Sequence, residues 1–202
     1  MRILKKIFTI ALVLLSVIAL GCGRKQKSER EVLEYLKNIQ SYKCKATINI
    51  LNNKQAIQYK CTAFYDEKLG ARLEIGEDRI FIYKDNWIHV SDKASGRKYS
   101  IEESFDNLYY LAFVNKYIKL MYTNEDTKYY VQEESGRKYQ LIELTIPDNN
   151  INMAKAVLYV DAKTLVPGKI MIYDNKDKER IRINYSEFAA NEKLDSNLFN
   201  FQ

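Results

Sequence analysis

The stretch from Tyr42 to Tyr65, YKCKATINILNNKQAIQYKCTAFY, contains two runs in which apolar and polar residues alternate. Alternation with a period of two is typical of strands that bury one face. The runs are separated by NNK at 52–54, and asparagine is common in tight turns because it tolerates positive φ. The stretch therefore predicts an antiparallel hairpin with strands at 42–51 and 55–65.

The length of the turn sets the register of this hairpin. If the two asparagines form a two-residue type I′ turn, Leu51 pairs with Lys54. Counting outward, Cys44 then pairs with Cys61 at a non-hydrogen-bonded site, where Cα atoms approach within about 4.5 Å. That spacing permits a disulfide in an oxidising compartment, and the alternative is two buried free thiols. A longer turn would change the register.

A helix is predicted just before the hairpin. Ser28 and Glu31 fit a capping box, in which each side chain satisfies the other residue's free backbone N–H. The helix is expected to end near Gln40. Its apolar face recurs at helical spacing and consists of Val32, Leu33, Leu36 and Ile39.

After the hairpin, the period-two pattern continues with one interruption. The segment from Phe105 to Tyr122 is apolar over a broad helical surface and lacks glycine and proline, which predicts a continuous helix covered on more than one side. Turn residues separate the remaining runs. The strands expected from them are 69–75, 79–83, 87–91, 98–101, 128–133, 138–146, 155–161, 168–173 and 179–188.

The composition agrees with a single, sheet-rich domain. Sixteen tyrosines, eight phenylalanines and only two prolines among 202 residues favour strands. We therefore predict an α+β, mostly β fold in residues 29–202. The formal charge of +6 becomes +3 if Arg2, Lys5 and Lys6 are removed, and so mild an excess does not indicate a nucleic-acid partner.

The N-terminus has the pattern of a lipoprotein signal peptide. A basic start is followed by an uncharged apolar run from Ile7 to Leu20 and then by Gly21-Cys22. We expect residues 1–21 to be removed and Cys22 to carry the lipid, including palmitate, that anchors the chain outside the cytoplasm. The alternative is an uncleaved membrane anchor, although the run is shorter than the roughly 20 residues of a spanning helix. Residues 22–28 form a basic tether that either contacts anionic headgroups or acts as a solvated spacer.

The residues that enzymes and metal sites need are scarce. The single histidine, His89, lies in a predicted strand, and no motif supplies a nucleophile for it. One histidine and two cysteines that face each other do not make a zinc site. We therefore expect no catalytic residue, metal or other cofactor.

Several segments carry a family resemblance. LYVDAKT at 158–164, VPGKI at 166–170 and the segments 185–188 and 194–199 resemble the last strands and closing turn of the LolA/LolB-like superfamily of lipoprotein carriers. The segment 32–50 resembles its first helix and strand. The resemblance implies an open antiparallel half-barrel, with an N-terminal helix and a lid helix over an apolar interior. The residues expected to line the lid or a cavity are Phe105, Leu108, Tyr109, Ala112, Ile118 and Met121.

The short, tyrosine-rich chain with its lipidation motif is most similar to the GerS-type germination lipoproteins of spore-forming clostridia. That resemblance implies a non-catalytic, membrane-anchored partner of a CwlD-like N-acetylmuramoyl-L-alanine amidase that modifies the spore cortex. A homodimer through exposed strand edges is also compatible with it. The alternatives are a carrier that holds lipid or lipoprotein acyl chains beneath the lid, and an envelope-stress sensor domain.

Overall fold

The computed structural model describes residues 27–52, 55–106, 108–124, 126–147 and 150–201. Within these ranges the predicted fold class is confirmed, because the chain forms one open antiparallel sheet of eleven strands with two helices. The helices are α1 (Glu29–Lys37) and α2 (Val114–Thr123). The strands are β1 (Ser41–Leu51), β2 (Ala56–Asp66), β3 (Gly70–Ile75), β4 (Arg79–Lys84), β5 (Trp87–Asp92), β6 (Arg97–Glu102), β7 (Lys128–Glu134), β8 (Arg137–Thr145), β9 (Lys155–Asp161), β10 (Pro167–Tyr173) and β11 (Glu179–Ala190).

The sheet consists of two meanders joined in the middle. Its strand order is β6-β5-β4-β3-β2-β1-β11-β10-β9-β8-β7. The first and last strands pair with each other, so the N- and C-terminal halves share the centre of the sheet. Within the described residues β6 and β7 form its two edges, and the half-barrel therefore remains open.

The main core lies on the concave face, where both helices pack. Val32 and Leu36 of α1 and Tyr117 of α2 are fully or almost fully buried against inward-facing sheet residues such as Ile48 and Ile183. Burying one such aliphatic side chain contributes roughly 1.5–3 kcal/mol. Packing against the sheet, rather than intrinsic helix stability, therefore holds helices of this length in place.

The predicted capping box starts α1. Ser28 Oγ accepts from the Glu31 backbone N–H, and the Glu31 carboxylate accepts from the Ser28 N–H at 2.8 Å. The hydrogen bonds from Lys27 and Ser28 lower the pKa of Glu31 to about 2. The helix ends at Lys37, three residues before the predicted end.

The predicted register of the first hairpin is wrong by two residues. Leu51 pairs with Ala56, so four residues rather than two connect the strands, and Gln55 N donates to Asn52 Oδ1 at 2.7 Å. Cys44 consequently lies opposite Ala63, while Cys61 lies opposite Ala46. A shift of two residues keeps every side chain on its face, and the hydrophobic alternation could not distinguish the two registers.

The predicted helix from Phe105 to Tyr122 is also corrected. The segment forms 3₁₀ turns at Glu103–Phe105 and Tyr109–Ala112, and α2 begins only at Val114. Asp106 is the physical cause, because its carboxylate accepts from the backbone N–H groups of residues 108, 109 and 110. Such side-chain-to-backbone bonds offer the chain an alternative to a regular helix.

Candidate functional surfaces

Tyrosine hydroxyls attach the lid segment, residues 103–123, to the sheet. Tyr83 donates to the Asp106 carboxylate at 2.6 Å, and Tyr185 donates to the Ala112 carbonyl at 2.9 Å. Tyr42 donates to Asn115 Oδ1 at 3.1 Å. Burial raises the pKa of Tyr83 and Tyr185, so both hydroxyls keep the proton that makes these bonds. The lid is therefore fixed at three points along its length.

The six residues expected to line the lid or a cavity do not form one lining. Ala112 and Met121 are buried in the core, and Leu108, Tyr109 and Ile118 pack against it while partly exposed. Phe105 is 73% exposed, and its assignment to the lining is wrong. Phe105 follows β6, one of the two edge strands, and lies just before the Asp106 turn, outside the covered interior.

The space beneath the lid is filled by the protein's own side chains. Leu111, Phe113 and Val114 are at most 1% exposed and belong to the same cluster as the inward-facing sheet residues. Tyr117 is equally buried, and its hydroxyl is the one buried side-chain polar atom among the described residues without a hydrogen-bond partner. The interior beneath the lid is therefore a closely packed core of aromatic and aliphatic side chains.

An open groove of 810 Å³ lies at one end of the half-barrel. The β2–β3 turn, the β4–β5 turn, the end of β6 and the first turns of α2 form its walls. The close approach of β3 and β4 is possible because residue 70 is glycine. Its φ is +112°, and a Cβ there would lie 2.4 Å from the Tyr83 carbonyl oxygen. The exposed side chains on the groove's walls include both lysines and carboxylates.

The two edge strands are exposed to solvent. Nearly every residue of β6 and β7 is exposed, including Tyr99 on one edge and Tyr130 and Val131 on the other. An edge strand presents unpaired N–H and C=O groups that can pair with a strand of another chain. Both edges are therefore candidate binding surfaces for a protein.

The convex face carries an aromatic cluster that the sequence reasoning missed. Leu141, Val157, Tyr159 and Met171 of β8–β10 are buried there, although neither of the two described helices covers them. Tyr139 packs edge-on against Tyr159 with ring centroids 5.9 Å apart. The alternation in 155–161 contains apolar residues on both faces, and that pattern could have indicated a second apolar surface.

The cysteines are separate free thiols rather than a disulfide. Cys44 and Cys61 are both buried on the concave face, and burial raises the pKa of each to about 12. Thiols with so high a pKa are almost entirely protonated at neutral pH and react slowly. The register shift explains why the expected pairing fails.

The side chain of His89 is held in place by two neighbouring residues. Its Nδ1 lies 2.7 Å from Ser100 Oγ, and its ring stacks on Phe201 with centroids 4.9 Å apart. Across the described parts of the chain, no three His, Cys, Asp or Glu side chains are grouped so that they could hold a metal ion.

The predicted signal peptide and Cys22 lie outside the described residues, as does most of the basic tether. The first described residue is Lys27, and its N–H donates to the Ala162 carbonyl at 3.0 Å. In the described part of the chain, neither helix has the length and apolar character needed to cross a bilayer.

An open antiparallel half-barrel with a helical lid packed on its concave face is a LolA-like fold. The model of the family described as sporulation protein YdcC-like matches residues 3–199. The chain therefore belongs to the sporulation protein YdcC-like family. A search of curated proteins finds no match.

Solved structures share the fold at low identity. An uncharacterized conserved protein from Thermus thermophilus has a TM-score of 0.57 and 8% identity, over 87% of this chain and 95% of that one. The GerS lipoprotein, solved in complex with the CwlD amidase from Clostridioides difficile, has 26% identity and a TM-score of 0.47, with 83% and 98% covered. The LolA superfamily protein NE2245 from Nitrosomonas europaea has 14% identity and a TM-score of 0.43, with 85% and 97% covered.

Proposed function

We propose that this protein is a non-catalytic lipoprotein, anchored outside the cytoplasm through Cys22, that binds and enables a spore-cortex N-acetylmuramoyl-L-alanine amidase. Membership of a sporulation family supports the developmental setting. The amidase as partner class is carried over from the sequence resemblance to the GerS-type lipoproteins. The protein's contribution would be a binding surface rather than a chemical group.

The packed interior is the observation that most favours a protein partner over a lipid cargo. An acyl-chain carrier needs an apolar cavity, and ligand pockets usually occupy at least about 300 Å³. Beneath the lid, Leu111, Phe113 and Tyr117 fill that space instead. The 810 Å³ groove is not a substitute, because charged residues such as Lys68 and Glu102 line it and it is open to solvent.

A sheet edge is the proposed contact surface. Among the described strands, only β6 and β7 have an unpaired side, and an added strand would satisfy their free backbone groups. Val131 on β7 is 54% exposed, and Tyr99 on β6 is exposed to a similar extent. Exposed apolar side chains on an edge strand give a partner something to recognise besides the main chain.

The test is purification of the tagged, full-length protein from the native host during sporulation. Proteins and lipids that co-purify would be identified by mass spectrometry, and amidase activity on cortex peptidoglycan would be measured with and without the protein. We expect a stoichiometric amidase whose activity depends on the protein. Bound acyl lipid without a protein partner would overturn the proposal in favour of the carrier.

Two matched variants would locate the contact. Val131→Lys places a charge on the β7 edge, and Tyr99→Lys places the same charge on the β6 edge. Both sites are exposed, so neither change should cost much stability. Loss of the amidase from one variant but not from the other identifies the edge. Full retention by both would exclude an edge-mediated contact.

A further inference from the structure

The point where the chain enters the domain fixes which end of the half-barrel lies near an anchored lipid. Lys27 N–H donates to the carbonyl of Ala162, in the turn between β9 and β10. Lys27 is five positions after Cys22, and an extended chain spans at most about 3.6 Å per position, or roughly 18 Å in all. If Cys22 is lipidated as proposed above, the β9–β10 turn is held within that distance of the membrane.

The strand pairing shows which other turns share this end. The start of β10 lies beside the end of β11. The end of β11 pairs with the start of β1, and the start of β1 also pairs with the end of β2. Continuing along the sheet, the β2–β3 turn, the β4–β5 turn and the end of β6 lie at the same end. We call this the tether end. The 810 Å³ groove opens there.

Two apolar rings are exposed at the tether end. Trp87, at the start of β5, is 44% exposed, and Phe105, just after β6, is 73% exposed. Both stand on fixed turns, since Glu103 N–H donates to the Asn86 carbonyl at 2.9 Å and Glu103 forms an ion pair with Lys116. Exposed aromatic rings held on rigid turns at one end of a domain are candidates for contact with a partner or a membrane.

We propose that Trp87 and Phe105 insert into the headgroup region of the membrane to which the chain is anchored. The domain would then contact the bilayer at two points, through the lipid on Cys22 and through these rings. Tryptophan is enriched at this depth in membrane proteins because its ring is apolar and its N–H is polar. The short tether holds the β9–β10 turn, at the same end of the sheet as these rings, within roughly 18 Å of the surface.

Charge has a secondary role in this contact. Lys68, Lys84 and Lys119 are exposed around the groove, and none of them forms an ion pair with another described residue. Exposed carboxylates, including Glu67, Asp85 and Glu102, are equally close. The net charge of the side chains around the groove is therefore near zero. Insertion of the apolar rings, rather than attraction to anionic lipid, determines the contact with the membrane. It should persist in high salt, which screens exposed charges.

This orientation separates the membrane contact from the β7 edge, which is one of the two proposed contact edges. Val131 lies on β7, at the opposite edge of the sheet from β5 and β6, while Trp87 starts β5 and Phe105 follows β6. The turns at the opposite end of the sheet, including the β8–β9 connection, point away from the bilayer. A partner could therefore bind while the tether end stays on the membrane.

The test uses the only tryptophan in the chain as its own probe. The lipidated, full-length protein would be purified in detergent and reconstituted into vesicles of equal parts phosphatidylglycerol and phosphatidylcholine, with or without brominated phosphatidylcholine. We expect the emission of Trp87 to shift to shorter wavelength and to lose most of its intensity in brominated vesicles, in low and in high salt.

A matched control moves the probe to the other end of the molecule. In the double variant Trp87→Phe, Ile151→Trp, the new indole replaces an exposed residue on the β8–β9 connection. Its emission should be the same in brominated and ordinary vesicles. Equal quenching at both positions, or quenching at neither, would overturn the proposed orientation. A contact with another protein instead would leave Trp87 unquenched in vesicles and change its emission when the amidase is added.

The failure of this inference can be told apart from failure of the proposed function. The mass of the N-terminal peptide reports lipidation of Cys22 directly. The variant Trp87→Ser, Phe105→Ser should lose its membrane contact, measured by hydrogen exchange at the tether end in vesicles, and should keep the amidase in detergent. If this variant loses the amidase in detergent while remaining folded, the rings contact the partner and the membrane proposal is wrong.

Discussion

Two regions of the convex face cover their apolar residues in different ways. On β2–β5, a row formed by Phe64, Arg72, Ile82 and His89 runs across four strands, and the C-terminal tail from Ser196 to Phe201 lies over it. On β8–β10, no such segment of the described chain lies over the cluster of Leu141, Val157, Tyr159 and Met171. We call the first the tail-covered face and the second the tyrosine-covered face.

The tail-covered face depends on contacts between distant parts of the chain. Arg72 donates to the Leu198 carbonyl at 2.9 Å, across 126 residues, and Phe201 stacks on His89. The tyrosine-covered face uses its own neighbours. Lys169 lies over the ring of Tyr159 at 4.3 Å from the centroid, and Lys155 lies over Tyr173 at 5.1 Å. Its cover is therefore built into the strands and cannot detach as a unit.

The largest effect should follow loss of the tail's main anchor. Phe199 is 2% exposed, in a 3₁₀ turn that contacts β3. Phe199→Ala should lower the free energy of unfolding by about 3–5 kcal/mol, as for other buried phenylalanines, because the ring leaves a cavity and the tail loses its hold. Urea unfolding followed by circular dichroism would measure this.

The neighbouring phenylalanine serves as the control. Phe201 is 38% exposed, and Phe201→Ala should cost only about 1 kcal/mol, since surface contacts contribute little. Hydrogen exchange should show faster opening of β3–β5 in Phe199→Ala and little change in β8–β10. Uniform opening of the whole sheet would show that the tail stabilises both faces equally.

A smaller effect is expected on the tyrosine-covered face. Met171 is 8% exposed, and Met171→Ala should cost about 2 kcal/mol, at the low end of the range for such substitutions. The flexible lysine stems and tyrosine rings around it can move into the vacated space. The measurement is the same urea titration. A loss as large as that for Phe199→Ala would mean that this cover is rigid.

The two faces also differ in what the sequence could predict. The strands and the capping box at Ser28 follow from local patterns, the closing turn at 194–199 follows from the family resemblance, and the structure has them within a few residues. The tail's path over Arg72 depends on contacts between residues far apart in the chain, which no local pattern contains. The hairpin register and the Asp106 turn were missed because each depends on a single side chain, Asn52 or Asp106, that caps backbone N–H groups.

The concave face contains a buried polar atom that lowers stability. The Tyr117 hydroxyl is buried without a hydrogen-bond partner, and such a group costs about 1–3 kcal/mol. Tyr117→Phe should therefore raise the free energy of unfolding by about 1 kcal/mol. Tyr185→Phe is the matched control, because it removes the bond to the Ala112 carbonyl and should lower stability by a similar amount. A loss in both variants would mean that an ordered water satisfies Tyr117.

The smallest effect should come from exposed ion pairs, because solvent screens their charges. Lys27–Glu31 is one example, with each side chain nearly half exposed, and Glu31→Gln removes its charge while keeping a residue suited to the capping box. The pKa of Glu31 is lowered to about 2 by its hydrogen bonds to Lys27 and Ser28. Because the pKa of Glu31 is lower in the folded state, its charge stabilises the fold at pH values above the unfolded-state pKa of about 4.3. This contribution is lost as the pH falls through the folded-state pKa. The difference in urea midpoint between the natural protein and the variant should therefore be small at pH 7 and vanish near pH 2.

A second glutamate on the same helix provides the control for this pH dependence. Glu34→Gln, which removes the more exposed pair with Arg30, should change the urea midpoint less than Glu31→Gln does at every pH. If Glu31→Gln has no effect even at pH 7, exposed pairs of this kind contribute nothing measurable. The stability of the tyrosine-covered face is then attributed to its apolar and cation–π contacts and to the less exposed pair Lys169–Glu134, whose lysine side chain is 16% exposed.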